Sequence, residues 1–369
     1  MSKSPTNARS RKRILLLLER LTDADGVSGD EDRVREVMER ELRPVSDRLT
    51  VDSIGNLIAE AGPDGSPRVA LFAHMDEVGL LVKHIRPDGY LAFEISGGID
   101  SSILPSQWVR ISTAKGVVKG VIGSAPGHLV GEGSEQRPDY RMMYIDIGVR
   151  SSKEALSTGV RVGDAVAYDR HLSASANGEF AFGKALDNRI GCLVMIEVFK
   201  ACVASPRLSC RLLGVGTTME ETGALGARAA ARALSPDVAI ILDGIPAHDP
   251  LVPREISAGE VGRGPIISKV EGRNPNANAV PRWLFESAVQ IAEKEGIPYQ
   301  VDVNYFFDSD AGGINFSMPG TPIIPVYVPR QNSHSPAEIA SLQDIENAIR
   351  LTTLLVRKLG SNEKLKKAG

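Results

Sequence analysis

The sequence has few cysteines and no apolar run long enough to cross a membrane. Only three cysteines occur among 369 residues, Cys192, Cys202 and Cys210, and they lack the close spacing of a zinc knuckle or a redox motif. The longest apolar runs, such as residues 14–18, fall far short of the roughly 20 residues that a transmembrane helix needs. We therefore expect a cytoplasmic protein with buried, reduced thiols.

Neither sign of charge predominates. Forty-three lysines and arginines face 46 aspartates and glutamates, a formal net charge of −3. This balance offers no field that would attract nucleic acid or an anionic membrane, so we expect neither as a partner. The basic residues before residue 14 precede only a short leucine run, which Glu19 and Arg20 interrupt, and this does not match a signal peptide.

The periodicity of apolar residues indicates an α/β chain with an all-β insertion. Residues 14–21 and 31–42 read as amphipathic helices, and residues 49–54, 57–60 and 69–73 read as strands. Short strands bounded by Gly, Pro or Asp then fill residues 78–169, and long helices alternate with apolar strands after residue 183. We expect two parts of one α/β domain, residues 1–77 and 173–369, separated by an inserted β domain at residues 78–172.

Two acid-bearing segments lie where strands or helices are predicted to end or begin. His74 and Asp76 follow the apolar strand 69–73, and a carboxylate at this spacing can orient a ligating imidazole, although a structural histidine is the alternative. Asp187 precedes a long helix and, taken alone, is most simply an N-cap.

Three further segments add carboxylates and a second histidine. Glu220 and Glu221 follow a strand, where the alternative is a capping box with Thr217 or Thr218. Asp243 ends the apolar strand 238–242. His334 follows the strand 323–328, just before Ser335, Pro336 and Glu338, which we expect to begin a helix in the order of cap, first-turn proline and third-position acid.

Together these segments suit a divalent metal ion. In open α/β sheets, functional side chains gather beyond the carboxyl ends of the strands. Imidazole and carboxylate are ligands for zinc, cobalt or manganese. Two such ions bridged by one carboxylate form a hydrolytic centre in aminopeptidases and phosphatases. A two-metal hydrolase is therefore one interpretation of the spacing.

At these residues the sequence resembles the M42 family of metallo-aminopeptidases, which includes glutamyl and deblocking aminopeptidases and the tetrahedral peptidases. The matching strings are AHMDEVG at 73–79, KALDNR at 184–189, EETG at 220–223 and HSP at 334–336, in the family's order. The resemblance continues into the β block at GGID (97–100), VIGS (121–124) and IDIG (145–148). It implies a mixed-sheet α/β/α zinc-peptidase domain with an inserted, small barrel-like β domain.

The resemblance also implies roles for individual residues. Asp187 would bridge two divalent ions, zinc or cobalt, with His74 and Asp243 completing one site. Glu221 and His334 would complete the other.

Glu220 would be the general base, and Asp76 would hold His74 in its liganding orientation. The implied reaction removes N-terminal residues from short peptides by attack of a metal-bridging hydroxide. The implied assembly is a homo-oligomer, a dimer or a dodecamer, formed through the β domain, which would also govern substrate access.

The sequence departs from the family pattern near the expected substrate pocket. The family's Gly-Thr-Asp-Ala-Gly segment reads Asp-Ser-Asp-Ala-Gly at 308–312, so Asp310 is kept and Asp308 adds a charge. An acidic pocket that favours basic residues is one hypothesis. A di-metal hydrolase of N-acylated or modified amino acids or dipeptides is the alternative function.

A glycosidase and a binding protein with a decayed site fit the sequence less well. Against a glycosidase, the adjacent acids Glu220 and Glu221 make a poor opposed pair for glycan hydrolysis. Against a decayed site, all five proposed ligand positions carry residues that can bind a metal. The other histidines read as structural, and His248 is the remaining ligand candidate among them; they are His84, His128, His171 and His248.

Overall fold

The computed structural model describes residues 5–124, 139–206, 208–257, 259–272, 277–315, 320–362 and 365. His128 therefore lies outside the described residues. Within these ranges, no helix combines the length and apolarity needed to traverse a bilayer.

The helices fall mainly before residue 45 and after residue 185. In the described part of the chain they are α1 Pro5–Asp23, α2 Asp32–Leu42, α3 Ser152–Thr158, α4 Leu186–Val203, α5 Leu225–Leu234, α6 Arg282–Glu295, α7 Asp310–Asn315 and α8 Leu342–Gly360.

The strands divide into those that precede residue 75 or follow residue 172 and those that lie between. The first set comprises β1 Arg48–Val51, β2 Leu57–Ala61, β3 Arg68–His74, β10 Ser173–Ala174, β11 Phe180–Gly183, β12 Arg211–Thr217, β13 Val238–Pro246, β14 Ile266–Glu271, β15 Asn278–Ala279, β16 Gln300–Val303, β17 Ile323–Gln331 and β18 Glu338–Ser341. The second set comprises β4 Gly79–Ile85, β5 Leu91–Ser96, β6 Trp108–Thr113, β7 Gly116–Ile122, β8 Ile145–Asp146 and β9 Ala165–Tyr168.

The first set forms one mixed sheet. Its main path runs β1-β2-β12-β3-β13-β17-β18-β11-β10; β14 also pairs with β17, and β15 and β16 pair with β14. The central strands β12, β3, β13 and β17 are mutually parallel. Parallel strands are covered on both faces, which explains why nearly every residue of β3 and β13 is buried.

Helices cover both faces of this sheet, and alternate strand residues supply the two cores. Val69 and Leu71 face the core that packs against α1, α2, α4, α6 and α8. Ala70 and Phe72 face the opposite core, which α5 and α7 complete. The layers are therefore α/β/α, because side chains alternate across a strand.

The second set closes into an antiparallel barrel in the order β4-β5-β8-β7-β6-β9. Its interior holds a separate apolar core that includes Leu80, Phe93, Ile111 and Val166. The mixed α/β fold with a barrel-like insertion is thus confirmed. The exact domain boundaries at residues 77/78 and 172/173 stay a prediction.

One predicted helix start is wrong. Residues 338–341 form the strand β18, which pairs with β17 and β11, and the helix α8 begins only at Leu342. Ser341 caps it, its side chain accepting from the backbone N–H of Asp344. The Ser-Pro-x-Glu pattern resembled a cap, but the long-range strand pairing of Glu338 with Gly183 determines the local structure instead.

Candidate metal centre

The predicted site residues meet at the carboxyl ends of the parallel strands. His74 is the last residue of β3, and Asp243 lies in the second half of β13. Glu220 and Glu221 follow β12, and His334 follows β17. Parallel strands end at the same edge, so residues far apart in sequence converge here.

Asp187, at the start of α4, lies between the two histidines and faces each with a different oxygen. Its Oδ1 is 3.1 Å from His74 Nε2, and its Oδ2 is 3.2 Å from His334 Nε2. Asp243 Oδ1 is 3.6 Å from His74 Nε2, and Glu221 Oε1 is 3.6 Å from His334 Nε2.

These contacts define two groups of three donors that share Asp187. The donor atoms of His74, Asp187 and Asp243 lie within 4.8 Å of one another. The same holds for Asp187, Glu221 and His334. One carboxylate common to two three-donor groups is the arrangement needed for two ions side by side.

Asp76 connects His74 to the turn that carries the adjacent glutamates. His74 Nδ1 lies 3.3 Å from Asp76 Oδ1, so the imidazole presents Nε2 to the site. The backbone N–H groups of Glu220 and Glu221 donate to the two oxygens of the Asp76 carboxylate at 3.0 and 3.1 Å. Ser28 Oγ also donates to it at 2.6 Å.

Asp187 and the threonines do not cap helices as the alternatives supposed. The N-cap position of α4 is Ala185, and the Asp187 carboxylate faces the histidines. Thr217 Oγ1 donates to Asp310 Oδ2, and Thr218 Oγ1 donates to the carbonyl of Ile54.

Sequence reasoning missed two buried residues, Arg330 and Glu338, that contact Asp187. Arg330, fully buried, contacts Asp187 Oδ2 through Nη2 and Glu338 Oε1 through Nη1 at 2.5 Å. The Glu338 carboxylate also accepts from the backbone N–H groups of Asp187 at 3.0 Å and His334 at 2.9 Å. Glu338 therefore fixes the backbone of two site residues. Its sequence position looked like a first-turn acid of a helix, so no local signal distinguished it.

The electrostatics of the site favour a cation. Burial, reinforced by the Asp187 carboxylate, raises the pKa of Glu221 to about 8. Burial likewise raises the pKa of Asp243 and, well beyond its ordinary value, that of Glu220. Glu221 Oε1 is buried and accepts no hydrogen bond from the described residues. A cation between these carboxylates would offset both the burial cost and their repulsion.

The two histidines have raised pKa values because carboxylates surround them. Burial lowers the pKa of His334, but the hydrogen bond with Asp187 and the charge of Glu221 more than offset this and raise it to about 9. Burial also lowers the pKa of His74, while Asp243 and Glu220 raise it well above its usual value. A bound metal ion would replace the proton on Nε2 of each histidine.

A cavity of about 560 Å³ opens beside the centre. Both Asp308 and Arg228 line it, so the cavity carries a basic side chain as well as the acidic one that the sequence suggested. The remaining lining away from the centre is largely apolar, with Ile245, Val252 and Phe307 among its residues.

The other described histidines lie outside both three-donor groups. His248 Nδ1 contacts the carbonyl of Val252 at 2.7 Å, and His171 Nδ1 contacts Asp23 at 2.9 Å. His84 is exposed on β4 of the barrel.

A family profile and a relative of similar length match most of this chain. The sequence profile of the M42 glutamyl aminopeptidases matches residues 55–351. The lysyl aminopeptidase of Pyrococcus furiosus is 31% identical over 347 residues, which cover 93% of this chain and 96% of that protein.

Solved structures agree with the fold. An aminopeptidase from the archaeon Desulfurococcus kamchatkensis superposes with a TM-score of 0.90 at 32% identity, covering 97% of this chain and 98% of that one. The TET1 peptidase of Pyrococcus horikoshii, which can assemble into a tetrahedron or a large octahedral shell, superposes with a TM-score of 0.83 at 33% identity, covering 93% and 99%.

Proposed function

The chain belongs to the M42 family of aminopeptidases, and from that premise we propose that it uses two divalent metal ions to remove single N-terminal residues from short peptides. The observation that carries the proposal is the pair of three-donor groups that share Asp187. Family membership supports the hydrolysis of peptide bonds, and the donor groups support the two-metal requirement.

The donors fit zinc or cobalt. His74, Asp187 and Asp243 would hold one ion, and Asp187, Glu221 and His334 would hold the other. Neutral imidazole and carboxylate are suitable ligands for either metal. When bound, such ions polarise a carbonyl and lower the pKa of a bound water.

Glu220 is the proposed general base. It belongs to neither three-donor group, yet its Oε2 lies 3.8 Å from His74 Nε2 and its side chain lines the cavity. A carboxylate in this place can accept a proton from the attacking water and return it to the departing amine. Asp76, which touches His74 and the backbone of Glu220, is the proposed orienting residue.

The apolar part of the cavity is the proposed binding place for the N-terminal side chain. Because Asp308 and Arg228 both line it, we do not expect charge alone to select the substrate. A free α-amine next to the carboxylates would be favoured electrostatically, which would restrict cleavage to the first peptide bond.

We also propose that the chain forms a homo-oligomer, as the Pyrococcus horikoshii peptidase does. Large apolar side chains are exposed on the part of the chain that forms the barrel, among them Trp108, Met142 and Val162. An assembly formed through the barrel would remove such side chains from water. Light scattering would test this, and a single monomer peak would contradict it.

A peptide-library assay tests the activity. The enzyme is stripped with chelator, reloaded with zinc or cobalt, and given peptides that carry either a free or an acetylated N-terminus. We expect metal-dependent loss of single residues from free N-termini alone, read by mass spectrometry. Cleavage restricted to acetylated substrates would replace the proposal with an N-acyl amino acid hydrolase, and equal activity without metal would overturn the metal requirement.

A further inference from the structure

The barrel contributes a contact to the centre. The carbonyl of Gly98, just after β5, accepts a hydrogen bond from His334 Nδ1 at 2.8 Å. The two residues are 236 positions apart, and one belongs to the barrel while the other follows strand β17 of the large sheet. The contact therefore joins the two structural units at a proposed metal ligand.

This hydrogen bond determines which nitrogen of His334 faces the centre. A carbonyl oxygen can only accept, so Nδ1 must carry the proton. In the neutral ring Nε2 is then the atom with a free lone pair. That atom lies 3.2 Å from Asp187 Oδ2 and 3.6 Å from Glu221 Oε1.

The two histidines receive this support from different parts of the chain. The partner of His74 Nδ1 is Asp76, which lies in the loop that joins β3 of the large sheet to β4 of the barrel. His334 depends on Gly98. Ligating histidines commonly rely on such a partner at the other ring nitrogen, and its loss typically lowers metal affinity 10- to 100-fold.

The turn at residues 97–98 is also closely fitted to the second donor group. A Cβ atom on Gly98 would lie 3.1 Å from His334 Nδ1 and 3.3 Å from its Cε1. A Cβ atom on Gly97, which has φ +86°, would lie 2.7 Å from Val78 Cγ1 and 3.4 Å from Glu221 Cβ. The turn thus contacts His334 directly and leaves room for no more than a hydrogen atom between Gly97 and Val78, next to Glu221; these two site residues belong to the second group alone.

We propose that the Gly97–Gly98 turn of the barrel is a positioning element for the ion held by Asp187, Glu221 and His334, and not for the ion held with His74. The proposal rests on the two-metal function proposed above. According to this proposal, the affinity of the protein for that ion depends on the position of the barrel relative to the large sheet.

Metal titration of the Gly98→Ala variant tests this. The variant keeps the carbonyl but presses a methyl group against the imidazole, and the backbone at Gly98 does not have the positive φ of Gly97. Zinc binding to chelator-stripped protein is followed in metal buffers, with bound zinc counted by mass spectrometry. We expect two ions in the unchanged chain and a 10- to 100-fold weaker affinity for one of them in the variant.

Two further variants complete the test. Asp100→Ala removes the acceptor for the backbone N–H of Ser102 and loosens the same loop without adding bulk, so we expect a smaller loss at the same ion. Ser102→Ala changes an exposed side chain of the loop and serves as the matched control, with both affinities unchanged.

Each outcome separates the inference from the function beneath it. Unchanged affinities in both Gly98→Ala and Asp100→Ala, or equal weakening of the two ions, would overturn the role of the turn. Failure of the unchanged chain to bind two ions, or full retention of both by His334→Ala, would overturn the ligand assignment itself and the positioning role with it.

Discussion

Lys184 and Glu77 form an ion pair with both side chains buried, and Glu77 directly follows Asp76 in the loop between β3 and β4. Lys184 Nζ lies 2.6 and 2.8 Å from the two Glu77 oxygens, and the side chains are 0% and 2% exposed. Arg189 joins the pair through Glu77 and also donates to the carbonyl of Asp76 at 3.1 Å. Through Arg189, the pair is therefore connected to the backbone of Asp76, which orients His74.

The same network reaches the barrel. Lys184 Nζ is 3.2 Å from Asp25 Oδ1, and Arg110 of β6 donates to that carboxylate at 2.6 Å. Buried charges of both signs therefore lie at the junction between the barrel and the large sheet. Each remains acceptable there only while its partners are present.

Replacing Lys184 by methionine should destabilise the protein by up to about 3–5 kcal/mol, because the buried Glu77 and Asp25 would each lose one of their cations and keep Arg189 and Arg110, respectively. Thermal and denaturant unfolding would measure the loss. The control is Lys83→Met, which breaks the exposed pair with Glu94 and should cost about 1 kcal/mol or less. Equal losses in the two variants would contradict the importance of burial.

Glu220→Gln should lower turnover at least about 100-fold while two ions remain bound, because the amide cannot accept the proton. Peptide cleavage and metal counting on the same preparation would measure both. Glu36→Gln, an exposed change on α2, should leave both unchanged. Substantial activity in the first variant would remove Glu220 from the role of base.

Asp76→Asn should lower the affinity for the ion held by His74 about 10- to 100-fold. The amide offers only one oxygen, whereas the carboxylate uses two to contact His74 and the backbone of residues 220 and 221. Ser28→Ala removes a different contact of the same carboxylate and should have a much smaller effect. Zinc titration compares the two. Wild-type affinity in Asp76→Asn would exclude the orienting role.

Asp344 should make stability depend on pH in the mildly acidic range. Burial raises its pKa to about 6 from 3.8, although the N–H groups of Gly262 and Gly264 lower it. The folded state therefore holds the proton more tightly, and this stabilising contribution is lost as the pH rises from about 4 to about 6. At about 1.4 kcal/mol per pKa unit the difference is about 3 kcal/mol.

The measurement is the free energy of unfolding of Asp344→Asn and of the unchanged chain at several pH values. Their difference should shift by up to about 3 kcal/mol in favour of the variant between about pH 4 and about pH 7. Asp88→Asn, an exposed change, controls for the altered charge. A difference that is constant with pH would contradict the assignment.

The three cysteines should resist thiol reagents in the folded protein. All are free and buried, and burial raises the pKa of Cys192 to about 12 and that of Cys202 to about 11. Few thiolates form, and reagents cannot reach them. Labelling should reach three thiols only after unfolding, and rapid labelling of the native protein would disagree with this burial.

The sequence allowed the prediction of the features that depend on local pattern. Continuous apolar runs located β3 and β13, as expected for parallel strands buried on both faces, and their polar ends identified His74 and Asp243. The expectation of free, buried thiols is confirmed as well.

Features that depend on distant pairing could not be predicted in this way. Glu338 resembled a capping acid, but the pairing of β18 with both β17 and β11 is what brings it to its partners, Arg330 and the backbone of Asp187. The contact between Gly98 and His334 left no local pattern either, because a backbone carbonyl contributes no side chain to the sequence.

The sharing of Asp187 between two donor groups has a consequence for biosynthesis. A ribosome makes the chain from its amino end, so His74, Asp187 and Asp243 all emerge before His334 does. A nascent chain can therefore contain every side chain of the first group while the second is still missing its histidine. In the proposed two-metal centre, the second group can therefore be complete only after residue 334 has been synthesised.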